Sequence, residues 1–236
     1  SPMNDIPDVF SYNHYFGWYG GQVEDNGPWL DDCHARHPHK AVGLSEYGCE
    51  AVLKWHTSEP KCGDYSEEYQ AYYHEKMLET FGTRPYLWST AVWNMFDFGS
   101  DMRDEGGEAG QNHKGLVTFD RRIRKDSYYI YKAWWSKERF IHLCGRRYVE
   151  RAEELTRVKV YSNCGSISLF LNGDLVGQQE GAHVFTFDVE LRLGENQLLA
   201  RCADLSDEIT LCRVAEPNSK YVLPFGGKEI ENWFDP

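Results

Sequence analysis

No apolar run in this 236-residue sequence approaches the roughly 20 residues that would span a bilayer, so no membrane segment is predicted. Positive charge is scarce: 25 Lys and Arg face 37 Asp and Glu, a net charge of −12. Such a surface disfavours nucleic acid or an anionic membrane as a partner. There is no C-x-x-C pair, and the seven cysteines are odd in number and widely spaced. Free thiols in a reducing, cytoplasmic setting fit that pattern better than a disulfide framework. A Gly-rich phosphate loop and a Gly-x-Ser-x-Gly elbow are both missing, and no cofactor is predicted. The His34, His37, His39 cluster matches no zinc spacing and Pro38 interrupts any helical face, so no metal is predicted either. No signal peptide is visible. The first residue is Ser1 rather than methionine, which fits an excerpt or a processed product.

What is present is a well-mixed globular composition, 41% hydrophobic and 26% charged, enough for one large or two modest domains. Aromatics reach 15%, and seven of the eight tryptophans precede residue 136. Most belong to an aromatic core. A few are candidates for a sugar site, because the apolar face of a pyranose packs on an aromatic ring.

The chain reads as two regions and a tail. In residues 1–136, short apolar strands alternate with helical patterns. Val9 to Tyr12 runs as a strand into Asn13, Trp29 to His37 is a helix, and Ala41 to Ser45 is the next strand. Glu67 to Phe81 is the clearest helix, with Tyr69, Tyr72, Tyr73, Met77 and Phe81 at helical spacing and Asp64 as candidate cap. Tyr86 to Trp93 is a strand and Ser127 to Trp135 a helix. This alternation predicts parallel βα units, too few to close an eight-stranded barrel, so the chain is expected to start partway through a domain. In residues 137–216 the period becomes two: Val158 and Val160, then Ile167, Leu169 and Leu171, then Phe185, Phe187, Val189 and Leu191. Asn172-Gly173 marks a hairpin and Gly194-Glu195-Asn196 a further turn, with strands at Gln197–Cys202 and around Ile209 and Leu211. The prediction is an immunoglobulin-like β-sandwich. Residues 217–236 form an irregular tail.

The most informative motif is Ser45-Glu46-Tyr47-Gly48, a carboxylate ending the apolar run Ala41-Val42-Gly43-Leu44. An acid at the C-terminal end of a barrel strand is placed for catalysis. Around it stand Asn13-His14-Tyr15-Phe16-Gly17-Trp18-Tyr19, Val92-Trp93-Asn94 and Asn112-His113-Lys114-Gly115-Leu116-Val117. In this order the motifs resemble the last third of the catalytic (β/α)8 barrel of glycoside hydrolase family 2, which contains retaining β-galactosidases and β-glucuronidases. The resemblance covers about residues 8 to 135 and extends less specifically into the sandwich.

The resemblance implies a retaining β-glycosidase with Glu46 as nucleophile. Such enzymes need a second carboxyl group about 5–5.5 Å away as acid/base. In the family that glutamate follows an asparagine on an earlier strand, and no Asn-Glu pair precedes Glu46 here. The acid/base is therefore expected upstream of Ser1, and the isolated chain is expected to be inactive. Asn13, Tyr15, Tyr19 and Trp93 would shape the sugar site. Asn112 and Lys114 match an Asn-x-Lys pair that binds the uronate carboxylate in β-glucuronidases, though a similar stretch occurs in sequences that look like long β-galactosidases. A β-galactoside comes first as substrate and a β-glucuronide second. The partners implied are the carbohydrate, the remainder of the barrel and the amino-terminal domains, with a homo-oligomer compatible. The charged loop Asp101 to Glu108 reads as solvated. A competing class is a non-enzymatic carbohydrate-binding or structural fragment.

Overall fold

A computed structural model describes Asn4 and residues 6–223. The first half supplies strands β1 (Val9–Asn13), β2 (Ala41–Tyr47) and β3 (Leu87–Val92) and helices α1 (Asn26–Arg36) and α2 (Glu67–Gly82). The strands form a parallel sheet in the order β1-β2-β3. The pairing runs from Val9↔Ala41 to Asn13↔Glu46 on one side of β2 and from Val42↔Leu87 to Tyr47↔Val92 on the other. Strand β2 is central, and Val42, Leu44 and Tyr47 are fully buried, as its nearly unbroken apolar sequence requires. Parallel pairing puts the C-terminal ends of all three strands on one edge.

Helix α2 buries Tyr69, Tyr73, Met77 and Leu78 against this sheet's core. Its cap is Ser66, whose hydroxyl accepts from the Tyr69 N–H at 3.0 Å, and not Asp64. Asp64 instead closes the preceding turn by accepting from the Lys61 and Ser66 amides. Helix α1 starts three residues earlier than Trp29 because Pro28 fits a first turn, where the missing N–H has no intrahelical acceptor to lose. It ends at Arg36 because His37, which precedes Pro38, is driven out of helical geometry. A two-stranded ribbon of β4 (Phe98–Gly99) and β5 (Gln111–Asn112) and helix α3 (Asp126–Trp135) complete this half.

The second half begins with β6 (Ile141–Leu143) and β7 (Glu150–Arg151), followed by β8 (Leu155–Ser162), β9 (Ser166–Leu171) and β10 (Asp174–Glu180). Strands β11 (His183–Glu190), β12 (Gly194–Cys202) and β13 (Leu205–Arg213) follow. They make a five-stranded sheet, β10-β9-β12-β13-β7, and a three-stranded sheet, β11-β8-β6. Val158, Val160, Ile167, Leu169, Phe185, Phe187, Leu198 and Leu211 fill one core between them, which is a β-sandwich. The Asn172-Gly173 turn is as expected, with both residues at positive φ (52° and 97°). Gly194, Glu195 and Asn196 are the start of β12 rather than a turn. The turn lies just before them, held by the buried Asn196 amide, which accepts from the Arg192 N–H and donates to the Arg192 and Gly194 carbonyls. Of the tail, residues 224–236 lie outside the described residues, and Ser219–Tyr221 form a short 3-10 turn.

Polar and charged side chains join the helices to the sandwich. Glu75 of α2 accepts from Lys159 at 2.7 and 2.9 Å and from the Tyr161 hydroxyl. Glu67 accepts from the Asp126 N–H at 2.8 Å and from Arg147. Asp126 meets His142 Nε2 at 2.8 Å and the Gly145 N–H at 2.6 Å.

Gly48 is where the motif meets its neighbour: a Cβ there would stand 2.2 Å from the Trp93 carbonyl oxygen. Backbone cannot yield that distance cheaply. Gly48→Ala is expected to cost about 2 kcal/mol or more, read as a lowered urea midpoint with unchanged slope. An unchanged midpoint would show that the two strand ends do not need this contact.

Candidate active site

The edge where β1, β2 and β3 end carries the predicted residues. Glu46, half-buried near the end of β2, accepts from the Tyr15 hydroxyl at 2.8 Å through Oε2. Burial, then the hydrogen bond and charge of Glu46, push the Tyr15 phenol far above its ordinary value, so it keeps its proton and acts as donor. The backbone also ties the two: the His14 N–H donates to the Glu46 carbonyl at 2.9 Å. Asn13 ends β1 in an exposed position, and its Oδ1 accepts from the Ser45 hydroxyl at 2.8 Å. Trp93 follows β3, half-buried, its ring edge-on to Phe98 at 5.8 Å, and its N–H donates to the Tyr47 carbonyl at 2.7 Å.

Lys114 enters the same region from the other side. Its ammonium donates to the Tyr19 hydroxyl at 2.7 Å and lies 4.6 Å from the Tyr19 ring centre and 5.7 Å from the Tyr15 and Trp18 rings. The Tyr15 and Tyr19 rings pack edge to face at 5.2 Å. Glu46, Tyr15, Tyr19 and Lys114 therefore form one connected row. Asn112 is buried and its side-chain oxygen accepts from the Lys114 N–H at 3.0 Å, so it shapes the loop that delivers the lysine.

Three further residues belong to this group. Glu50, 2% exposed, pairs with Lys114 at 3.3 Å and with Arg103, and accepts from the His113 N–H at 2.9 Å. Burial pulls its carboxyl up, but Lys114, Arg103 and that amide outweigh it and leave it below the ordinary value. Arg103 donates to the Tyr19 hydroxyl at 3.0 Å, and Glu105 accepts from that hydroxyl at 2.8 Å. The loop expected to be solvated is thus folded onto the site, with Glu108 held by Lys54. Its Gly-rich, charged sequence is also that of a free loop. The missing signal was the pairing of Arg103 with Glu50 across 53 residues.

Two other features lie away from Glu46. A cavity of about 510 Å³ at the junction of helices and sandwich is lined by Glu68, Tyr72, Arg151, Glu153 and Thr156 among others. Asp126, His142 and Cys144 bring ligand-type atoms within 4.8 Å of one another. Both Asp126 oxygens are already committed to His142 and Gly145, which marks a structural clamp. Of the histidine cluster, His34 lies within α1 and stacks on Tyr86 at 4.1 Å, and His37 at the end of that helix packs on Phe10 at 5.1 Å.

Known proteins share this architecture. A β-glucuronidase of Bacteroides fragilis is 37% identical over 221 residues, covering 89% of this chain and 32% of that protein. The crystal structure of an FMN-binding β-glucuronidase from Facaelibacterium prausnitzii L2-6 is 54% identical with a TM-score of 0.92, over 95% of this chain and 35% of that one. The chain is homologous to the C-terminal portion of glycoside hydrolase family 2 enzymes. A putative β-galactosidase structure from Bacteroides fragilis is similar at 36% identity and TM-score 0.83, over 89% of this chain and 33% of that one. Residues 153–204, within the sandwich, match a domain of unknown function (DUF4982). The chain spans about a third of the length of these family 2 relatives.

Burial lowers Lys114 from the ordinary 10.5 to about 8, against the pull of Glu50. Below pH 8 both folded and unfolded chains hold the proton, and the cost of burying it is fully present. Between about pH 8 and 10.5 the unfolded chain holds more protons, so this lysine makes stability rise with pH, by at most about 1.4 kcal/mol per unit. The stability difference between the native chain and Lys114→Gln should therefore climb from pH 8 to 9. A flat difference over that range would refute the depressed ammonium.

Proposed function

We propose that this chain is the nucleophile-bearing part of a retaining β-glycosidase acting on a terminal sugar, with a β-glucuronide as substrate. The observation that carries the reading is the row Glu46–Tyr15–Tyr19–Lys114, which sets a carboxylate and a buried ammonium on either side of two tyrosine rings. In this reading residues 1–136 are the last strands and helices of a (β/α)8 barrel, 137–216 an immunoglobulin-like sandwich and 217–236 a tail. Glu46 attacks the anomeric carbon and forms a glycosyl-enzyme, which water then hydrolyses. Tyr15 aims the carboxylate through its hydrogen bond. Trp93 offers an apolar face to the sugar ring and Asn13 a polar edge. The acid/base carboxyl group comes from the portion of the protein outside this chain, whose relatives are about three times longer.

Lys114 supports the glucuronide, since an ammonium gains a charge-assisted hydrogen bond from a uronate that a galactoside cannot supply. Glu50 and Arg103 fix where that ammonium stands. A β-galactoside is the second reading, favoured by the 36% identical putative β-galactosidase. The partners are the sugar and the remaining barrel and amino-terminal domains, and the assembly is compatible with a homo-oligomer.

In the complete protein, Glu46→Gln should lower kcat by on the order of 10⁴-fold while leaving the melting temperature intact. Retained turnover would remove the nucleophile role. Lys114→Ala should reduce kcat/KM for a glucuronide by roughly 10–100-fold, the worth of one charged hydrogen bond, and spare a galactoside. Equal losses on both substrates would assign Lys114 to the fold alone.

A further inference from the structure

Two of the seven cysteines lie together on the sandwich, far in sequence from the strand-end cluster. Cys164 sits in the turn between β8 and β9, two residues before β9 begins at Ser166. Cys202 ends β12, the strand that pairs with β9 through Leu198↔Leu171 to Arg201↔Ser168. The antiparallel register brings the end of β12 beside the start of β9, so that one guanidinium nitrogen reaches both thiols. Arg139 lies over both, with Nη2 3.4 Å from the Cys202 sulfur and 3.9 Å from the Cys164 sulfur.

The placement of Arg139 is built, not accidental. The Asn163 side chain, next to Cys164, donates to the Ser136 and Glu138 carbonyls at 2.9 and 2.8 Å and accepts from the Phe140 N–H at 3.1 Å. The segment that carries Arg139 is thereby clamped to the turn that carries Cys164. Asp204, 3.4 Å from Arg139, holds the guanidinium from the other side. Burial raises the Cys164 thiol, but the Ser162 hydroxyl, the Cys202 thiol and Arg139 outweigh it and leave it below the ordinary value. Cys202 moves the other way, through burial and then the neighbouring Cys164. Burial pushes the Cys33, Cys49, Cys62 and Cys144 thiols up.

We propose that Cys164 and Cys202 are a reversible oxidation site, converted by a peroxide to an intramolecular disulfide, with Arg139 stabilising the attacking thiolate. The Cys164 thiolate attacks one peroxide oxygen; the O–O bond breaks, and the departing hydroxide is protonated to water. The resulting sulfenic acid is attacked by the Cys202 sulfur; the S–S bond forms, the S–O bond breaks, and the oxygen leaves as water with the Cys202 proton. Two thiols are oxidised and one hydrogen peroxide is reduced to two waters. Cys202 is the more exposed partner and Cys164 is buried, so the site calls for an oxidant as small as a peroxide.

The test is to treat the reduced full chain with hydrogen peroxide, alkylate the remaining thiols after unfolding, and map the peptides by mass spectrometry. The expected result is loss of two thiols, a peptide pair joined through Cys164 and Cys202, and recovery of both with dithiothreitol. Cys202→Ser should leave Cys164 as a sulfenic acid that dimedone traps. Arg139→Leu should slow oxidation about threefold for each unit by which the Cys164 value rises. A tenfold loss of thiolate is partly offset by its greater nucleophilicity, and Arg139→Lys should restore the rate. Full alkylation of Cys164 and Cys202 after peroxide, with oxidation confined to the exposed Cys62, would overturn the proposal. So would a rate unaffected by Arg139→Leu.

Discussion

Parallel pairing of β1, β2 and β3 is the constraint on which the remainder of the site depends. Three strands running the same way must end on the same edge, so Asn13, Glu46 and Trp93 become neighbours although 33 and 47 residues of chain separate the successive pairs. The contact that sets their depth is the approach of the Trp93 carbonyl to Gly48. A side chain at that position would push β3 away from β2 and open the edge. The glycine in the Ser-Glu-Tyr-Gly motif is thus a packing requirement of the strand next to the carboxylate it follows.

Two buried lysines show how similar side chains are given different tasks. Lys125, fully buried, has its three protons accepted by Asp97 and by the Ala51 and His113 carbonyls at 2.8 to 2.9 Å. It is saturated, and holds together the loops that follow β2 and β5. Lys114 is nearly as buried but is surrounded mainly by aromatic faces, with Glu50 at 3.3 Å and the Tyr19 hydroxyl as its closer partner. An ammonium with spare donor capacity beside rings is suited to receive an anion. Burial costs both lysines, and for Lys114 the fold offsets part of the cost with Glu50, while the like charge of Arg103 adds to it.

The sandwich is fastened to the helices by buried polar pairs as well as by apolar contact through Tyr161, Cys144 and Val184. Glu67, Asp126 and Glu75 are buried carboxylates on α2 and α3, and each is met by a nitrogen-bearing side chain from the second half: Arg147, His142 and Lys159. Such pairs gain little over apolar packing but are costly to break singly, so they specify one docking geometry. That geometry also fixes the segment from Ser136 to Phe140, which carries Arg139 to the two sandwich cysteines.

By itself the sequence determined the element types and the residues at strand ends. Apolar runs in Ala41-Val42-Gly43-Leu44, helical spacing from Tyr69 to Phe81 and period-two alternation around Phe185 are local patterns that burial enforces, and they were legible. So was the placement of Asn13, Glu46 and Trp93 at or beside strand ends, because a strand end is a local property. Boundaries that depended on side-chain bonds were not: Ser66 rather than Asp64 caps α2, and Asn196 ties a turn from inside a strand. The edge strand β10 was illegible because Leu175 and Val176 are exposed and a register shift breaks its alternation. Only the tertiary structure decided that the acidic loop folds over the site, that Glu50 and Arg103 serve Lys114, and that Cys164 meets Cys202. Each of these is a pairing across tens of residues, and short-range pattern carries no information about which distant charge or thiol will be brought within a bond length.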